Sequence, residues 1–279
     1  MSVQTQSSVT LDAYPLGRTS PEYQRLRLQA KMWEPTTQRV LQEIGLRAGM
    51  RCLDVGCGPG EVMRLMGEMA GPAGQVTGID LDGRLGREAL DVLSATTNSR
   101  FKFIEANVEA IEAVPGQLFD IVYGRLILLY VHDLRALLRK LYAWTKPGGY
   151  IILQEYDMRP VDIFPTRQAA DELARVILGT FEQSGCDIGL GSKLATCFVE
   201  AGLGHPDGTD VTGIVAPLEQ MSGQLLGVYR SLLPRALQLG ITSEVRSQVF
   251  LDEFDKMLNE PASYALMPLL ISAWKRKPA

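Results

Sequence analysis

Apolar positions along this chain fall into two kinds of stretch, short continuous runs and longer segments with three- to four-residue spacing. In the first half the two kinds alternate. Strand-like runs are read at residues 51–55, 75–80, 101–105, 119–123 and 149–156. Between them, residues 61–70, 83–98 and 133–144 carry helical spacing. Alternation at this pitch predicts a parallel sheet covered by helices on both faces.

Ahead of the alternating part, residues 21–32 and 36–44 read as two helices. Ser20 with Pro21 at the first helical position opens the first, Pro35 interrupts, and Gly45 ends the second. Residues 14–19 read as a turn, and the polar residues 1–10 are expected to lack order. In the second half, residues 166–184 and 192–201 are helical and residues 209–217 are strand-like. Two long helices follow at 218–239 and 242–259, where Leu225, Leu226, Val228, Tyr229, Leu232, Leu233 and Leu237 keep helical spacing. A last strand is expected at 264–274. The chain therefore divides into a helical lid (1–45), a core (46–160) and a part that completes the sheet and adds a helical cap (161–279, the cap at 218–260).

Composition narrows the picture. At 279 residues and 46% hydrophobic content, the chain suits one large domain or a domain with a cap. The net charge is −4, and no basic run of five or more occurs, only a thin one at 275–277, which argues against a nucleic-acid surface. The four cysteines, Cys52, Cys57, Cys186 and Cys197, show neither metal-ligand spacing nor a CxxC pair. Reduced thiols in a cytoplasmic protein account for them. The polar start lacks an apolar leader core, and the longest apolar run, 126–131, is too short to cross a bilayer.

The chemistry centres on residues 51–60, RCLDVGCGPG. A strand carrying Asp54 breaks into Gly56, Gly58 and Gly60, and a helix follows. Glycines let backbone pass where a Cβ would collide with a ligand. A dinucleotide turn reads GxGxxG and aims at a pyrophosphate. Here the spacing is GxGxG, and the neighbouring carboxylate suits an ammonium or sulfonium rather than a phosphate. Asp80 ends the next strand, about 20 residues on, where an acid can take ribose hydroxyls. A cationic nucleoside fits this arrangement better than a dinucleotide.

LDVGCGPG resembles the first motif of the class I S-adenosylmethionine-dependent methyltransferases, and Asp80, followed by Leu81, resembles the acid closing their second. The group most similar is that of small-molecule, quinone and secondary-metabolite methyltransferases. The resemblance covers residues 14–156 and includes the FD-strand at 119–123 and the KPGG turn at 146–149. It implies a doubly wound, Rossmann-like, seven-stranded sheet with an N-terminal helical lid. The last two strands would form an antiparallel hairpin, here with two inserted helices. It implies S-adenosylmethionine as cofactor and S-adenosylhomocysteine as product. Asn107, followed by Val108, stands where the family places an aspartate on the adenine amino group. Its amide oxygen can still accept. Tyr14, Tyr23, Arg25 and Trp33 become lid candidates over the cofactor; alternatively Tyr23 and Trp33 dock the helix on the sheet. Arg125 either grips a carboxylate of cofactor or substrate, or pairs with Asp54 or Asp157.

Methyl transfer needs in-line alignment and a dry pocket, and a base only for a hydroxyl or a cationic amine. His132 is the candidate base, or else it caps the helix at Asp133; His205 is read as structural. Glu155, Tyr156 and Asp157 at the end of the fifth strand are candidates to meet the acceptor. Strand alternation sends Glu155 and Asp157 to one side and Gln154 and Tyr156 to the other. No metal is implied. The inserted helices roof the acceptor pocket, or form a packing surface for a homodimer. The expected acceptor is a small hydrophobic or aromatic molecule methylated on oxygen. The alternatives are C- or N-methylation, a cofactor-binding cyclase, and, further off, a protein or RNA methyltransferase.

Overall fold

The structure, a computed structural model, describes residues 16, 20–114, 118–165 and 168–279. Tyr14 and the polar start lie outside the described residues. The region expected to be a lid forms two helices, α1 (Ser20–Met32) and α2 (Glu34–Glu43). The core follows as β1 (Arg51–Val55), α3 (Glu61–Ala70), β2 (Gln75–Asp80), α4 (Gly83–Thr96), β3 (Arg100–Glu105), β4 (Phe119–Arg125), α5 (Leu134–Trp144) and β5 (Thr145–Asp157). Then come β6 (Asp162–Phe164), α6 (Gln168–Gln183), α7 (Leu194–Glu200), β7 (Gly208–Thr212), β8 (Val215–Pro217), α8 (Leu218–Gln238), α9 (Glu244–Leu258), β9 (Tyr264–Leu266) and β10 (Leu269–Arg276).

The main sheet has seven strands in the order β3-β2-β1-β4-β5-β10-β7. β1 to β5 pair in parallel, and β10 runs antiparallel to both β5 and β7. This is the predicted doubly wound, seven-stranded α/β sheet. Its strand order reverses between β1 and β4, and ligands bind outside the carboxyl ends of strands at such a point. The central strands are buried on both faces, which is why their sequences read as continuous apolar runs: Leu53, Val55, Val122, Ile151 and Leu153 are all fully buried. α3 turns Val62, Met63, Leu65 and Met66 onto the sheet, as its spacing predicts.

Four expectations need correction. Pro35 does not interrupt the lid helices; it sits in the first turn of α2, where a missing N–H costs no helical bond, and the break falls at Trp33. The strand-like run at 209–217 is two strands in different sheets. β7 edges the main sheet, and β8 joins a three-stranded sheet of order β6-β9-β8. The last strand divides likewise, into β9 and β10. The chain crosses between sheets at both places, beside Gly213 and at Met267-Pro268, where Pro268 has no N–H for a ladder and the Met267 amide bonds Ile214 O at 3.0 Å. β6, three residues long, carried no periodic signal. Finally, α7 is preceded by a 3-10 turn (Leu190–Lys193) rather than starting at Ser192.

The inserted pair α8 and α9 lies in sequence between β7 and β10, the two antiparallel end strands. The two helices meet through Tyr229 of α8 and Phe250 of α9, ring centroids 4.2 Å apart, with Phe254 5.5 Å from Phe250 along α9, and both helices pack on α6. α8 also meets the lid helix α1. Among the described residues no helix is long and apolar enough to cross a membrane.

Candidate cofactor and acceptor site

A cavity of about 280 Å³ opens at the carboxyl ends of β1, β2, β4 and β5, beneath α1 and α8. Its floor begins at Asp54. The register places this residue between Gly78 of β2 and Tyr123 of β4. The side chain is buried, and Oδ2 has no hydrogen-bond partner among the described residues. Burial pushes its carboxyl up to about 7, against the pull of Arg125 and with some help from Asp80. A buried ionisable group with an unpartnered oxygen at a cavity floor marks a candidate functional position.

The turn after Asp54 is shaped by its glycines. At Gly56, with φ +68, a Cβ would stand 2.9 Å from the side chain of Ile127, so a larger residue would displace the wall between β4 and the turn. The Gly58 amide donates to Asp80 Oδ2 at 2.8 Å, and the Asp82 amide to Asp80 Oδ1 at 2.8 Å. One carboxylate thus ties the β1–α3 turn to the β2–α4 turn. Leu81, half exposed, lies on the cavity wall next to it. Gly60 opens α3 with φ +80 and is not on the wall.

Asp82 caps α4 by accepting from Leu85 N, and its other oxygen accepts from the Tyr23 hydroxyl at 2.6 Å. The first helix therefore reaches the β2–α4 turn directly. Asn107 and the buried Val108 also line the cavity. The Asn107 oxygen already accepts from Glu109 N at 2.8 Å, so its expected outward role uses the second lone pair.

Arg125 lines the cavity and donates from Nη1 to Thr37 Oγ1 at 2.9 Å. Among the described residues it forms no ion pair, with Asp54, Asp157 or any other carboxylate. Asp157 has its own partners: Arg159 donates to it from Nε at 2.8 Å and from Nη2, and Ser192 Oγ donates too. Arg159 first among these holds the Asp157 carboxyl down at about 2. Arg25 is placed differently from a lid residue reaching outward. It is buried in a two-bond pair with Glu22, at 2.9 and 2.6 Å. With the Gln224 amide turned so that its oxygen faces the guanidinium, that oxygen accepts from Arg25 Nη1 at 2.8 Å.

The alternation in β5 sorts the remaining candidates. Tyr156 lines the cavity, whereas Glu155 and Asp157 do not. Glu155 is fully buried behind the wall. Its Oε2 accepts from the Leu128 and Leu129 amides at 3.0 and 3.4 Å, and its Oε1 from its neighbour Tyr156 N at 2.9 Å. Burial pushes its carboxyl up to about 7, opposed by those backbone donors. Trp33 packs against Tyr156 and donates Nε1–H to its hydroxyl at 2.5 Å. Trp33 thus docks the lid on β5, while Tyr23 faces the cavity.

His132 sits at the rim, largely exposed, with Nδ1 3.0 Å from Glu109 Oε2. It is not the cap of α5; Asp133 is, accepting from Ala136 N at 2.8 Å. Burial alone would raise the Glu109 carboxyl, but the ring of His132 and the His132 and Asp133 amides outweigh it and hold it low.

Three lining residues escape a reading of the sequence. Glu22 has a faint signal, an i,i+3 pair with Arg25 on one helix. Gln29 and Gln224 have none, since an isolated glutamine on a helix is ordinarily a solvated one.

A profile of the methyltransferase domain matches residues 23–203. The chain is 31% identical over 125 residues to phosphoethanolamine N-methyltransferase 1 of Zea mays, a span of 45% of this chain and 24% of that enzyme. It therefore spans about a quarter of that relative's length. In fold it is similar to a candidate methyltransferase of Bacillus halodurans C-125, with TM-score 0.59, 16% identity and coverage of 87% of this chain and 99% of that one. It is also similar to Haemonchus contortus phosphoethanolamine N-methyltransferase 2, solved with phosphomonomethylethanolamine and S-adenosylhomocysteine. There the TM-score is 0.51 at 18% identity, over 88% of this chain and 53% of that one. With more than half its length matched by that profile, and with the glycine turn, the paired aspartates and the strand order described above, this chain belongs to the methyltransferase-domain family, of the class I S-adenosylmethionine-dependent kind.

Proposed function

We propose that this chain methylates a small, largely apolar acceptor on oxygen, with S-adenosylmethionine as donor. The observation that carries the reading is Asp54, whose buried Oδ2 lacks a partner at the floor of a cavity bounded by the glycine turn. When bound, S-adenosylmethionine supplies an electrophilic methyl group on a sulfonium, open to in-line attack.

The chain's own residues supply the rest. Asp54 and Arg125 offer opposite charges for the amino and carboxylate ends of an amino-acid moiety. Asp80, beside Gly58, is assigned to the ribose hydroxyls through its remaining lone pairs, and the apolar Leu81 and Val108 to the base. Val161, Ile177, Phe181, Leu225 and Met267 line the cavity together with these residues. They keep water from the acceptor, and the alignment they impose supplies several kcal/mol. His132 is the candidate base for a hydroxyl acceptor, with Glu109 fixing its ring through Nδ1 and leaving Nε2 for the proton. Tyr156 is no base: burial pushes its phenol up to about 12, beyond the reach of neutral pH.

Two measurements test the reading. Calorimetry with S-adenosylhomocysteine and with NAD should show binding of the first alone. Incubation with labelled S-adenosylmethionine and a panel of phenols and enols should release S-adenosylhomocysteine and yield a methyl ether. No S-adenosylhomocysteine binding at millimolar concentration overturns the assignment, and a product labelled on carbon or nitrogen overturns the choice of oxygen.

A further inference from the structure

Tyr156 carries a hydrogen that no described group receives. Its oxygen takes Trp33 Nε1–H at 2.5 Å and Gln29 Nε2–H at 3.0 Å. An indole N–H only donates, and the glutamine presents its NH2 side. With two donors already on the phenolic oxygen, the O–H must point away from both. Tyr156 is 6% exposed and lines the cavity, so its hydrogen is met only by what occupies the cavity, water in the empty site or a ligand in the filled one. A buried donor left unmade is costly, and a site built around one prefers a ligand that completes it.

The charge around this donor restricts the ligand further. Arg25 is matched by Glu22 and held by Gln224, and all three line the cavity. The pair is set there by close packing of lid on roof: a Cβ at position 227 of α8 would come within 2.9 Å of Arg25 Cγ. A phosphate or a polycarboxylate needs cations that are not already neutralised: Arg25 is paired with Glu22, and Arg125, the lining arginine without a carboxylate partner among the described residues, is given to the cofactor carboxylate in the reading above. Met158, Val161 and Phe181 of the same cavity are apolar.

Resting on the acceptor reading above, we infer that Tyr156 is a specificity-determining residue that donates its hydroxyl hydrogen to a carbonyl-type oxygen of an uncharged, otherwise apolar acceptor. This separates the chain from relatives named for phosphoethanolamine. The methyl-accepting atom is a different one, since the Tyr156 oxygen has no lone pair to spare for a proton.

Paired probes test it: acetophenone, α-methylstyrene, which replaces the carbonyl by =CH2, and phosphoethanolamine. Affinities are measured on full-length protein with and without S-adenosylhomocysteine, for the wild type and for Tyr156→Phe. The ratio of acetophenone to α-methylstyrene affinity, taken within each protein, should fall about tenfold in Tyr156→Phe, with phosphoethanolamine bound by neither. A wild-type measurement needs no variant: the carbonyl stretch of bound acetophenone should lie below its value in cyclohexane. An unchanged ratio, an unshifted stretch, or phosphoethanolamine binding tighter than acetophenone overturns the inference. Failure to bind S-adenosylhomocysteine overturns the cofactor reading instead, and the ligand-free arm keeps the two apart.

Discussion

The Tyr23 hydroxyl donates to Asp82 Oδ2 at 2.6 Å, joining the lid helix to the residue that caps the helix after β2. Both residues line the cavity, beside the turn that the proposal gives to the cofactor. Tyr23→Phe removes one charge-assisted bond and little packing. S-adenosylhomocysteine affinity should fall about fivefold to tenfold, mostly through faster release, as one such bond is worth about 1 kcal/mol or more. Stopped-flow release rates check it; an unchanged rate means that the lid is held by its other contacts.

Asp54 should make donor binding depend on pH. Its carboxyl is raised to about 7, so the empty site is partly protonated below neutrality, and a cationic ligand must displace that proton. Affinity for S-adenosylmethionine should rise with pH up to about 7 and level off above it. The sign for stability is opposite. A raised carboxyl pKa means that folding favours the protonated form, so stability falls as pH climbs from the ordinary carboxylate range through 7. Asp54→Asn should flatten the binding profile, weaken binding, and raise the melting temperature at pH 8 but not at pH 4. Parallel calorimetry and melting scans would show both.

Glu155 should matter without touching the ligand. Its carboxylate gathers the amides of Leu128, Leu129 and Tyr156, and so fixes the 3-10 turn Leu128–Tyr130 on the cavity wall. That turn follows Leu126, a non-glycine residue at φ 57, so the backbone there depends on its surroundings to stay in place. Glu155→Ala strands buried donors and should cost about 3 kcal/mol, measured by urea unfolding. Glu155→Gln keeps an acceptor and should recover most of that loss.

Asp157 gives the contrasting case. Held at about 2 by Arg159, it contributes stability above the ordinary carboxylate range that is lost as pH falls towards 2. Asp157→Asn should lower the melting temperature at pH 7 and leave it nearly unchanged near pH 2. S-adenosylhomocysteine affinity should stay as in the wild type, because the residue is not on the cavity wall. A binding defect without a stability change would reverse this assignment.

Local chemistry made the cofactor half readable along the chain. Asp54, Gly56, Gly58 and Asp80 lie within one strand–turn–helix–strand unit, so the spacing that identifies them also brings them together. Period and breaker residues likewise marked β1, α3 and β2 at their observed bounds. The acceptor half was not readable in that way. Tyr156 needs Trp33 and Gln29, both more than 100 positions away, to give its hydrogen a direction. Arg25 needs Gln224 on an inserted helix. Glu155 and Tyr156 are adjacent in sequence and equally plausible as site residues, yet opposite faces of β5 send one behind the wall and the other into the cavity. The glycine turn is a short-range object that its own residues specify. The chamber beside it is a meeting of lid, sheet and roof, and side chains acquire roles there only once the tertiary packing has removed water and chosen their partners.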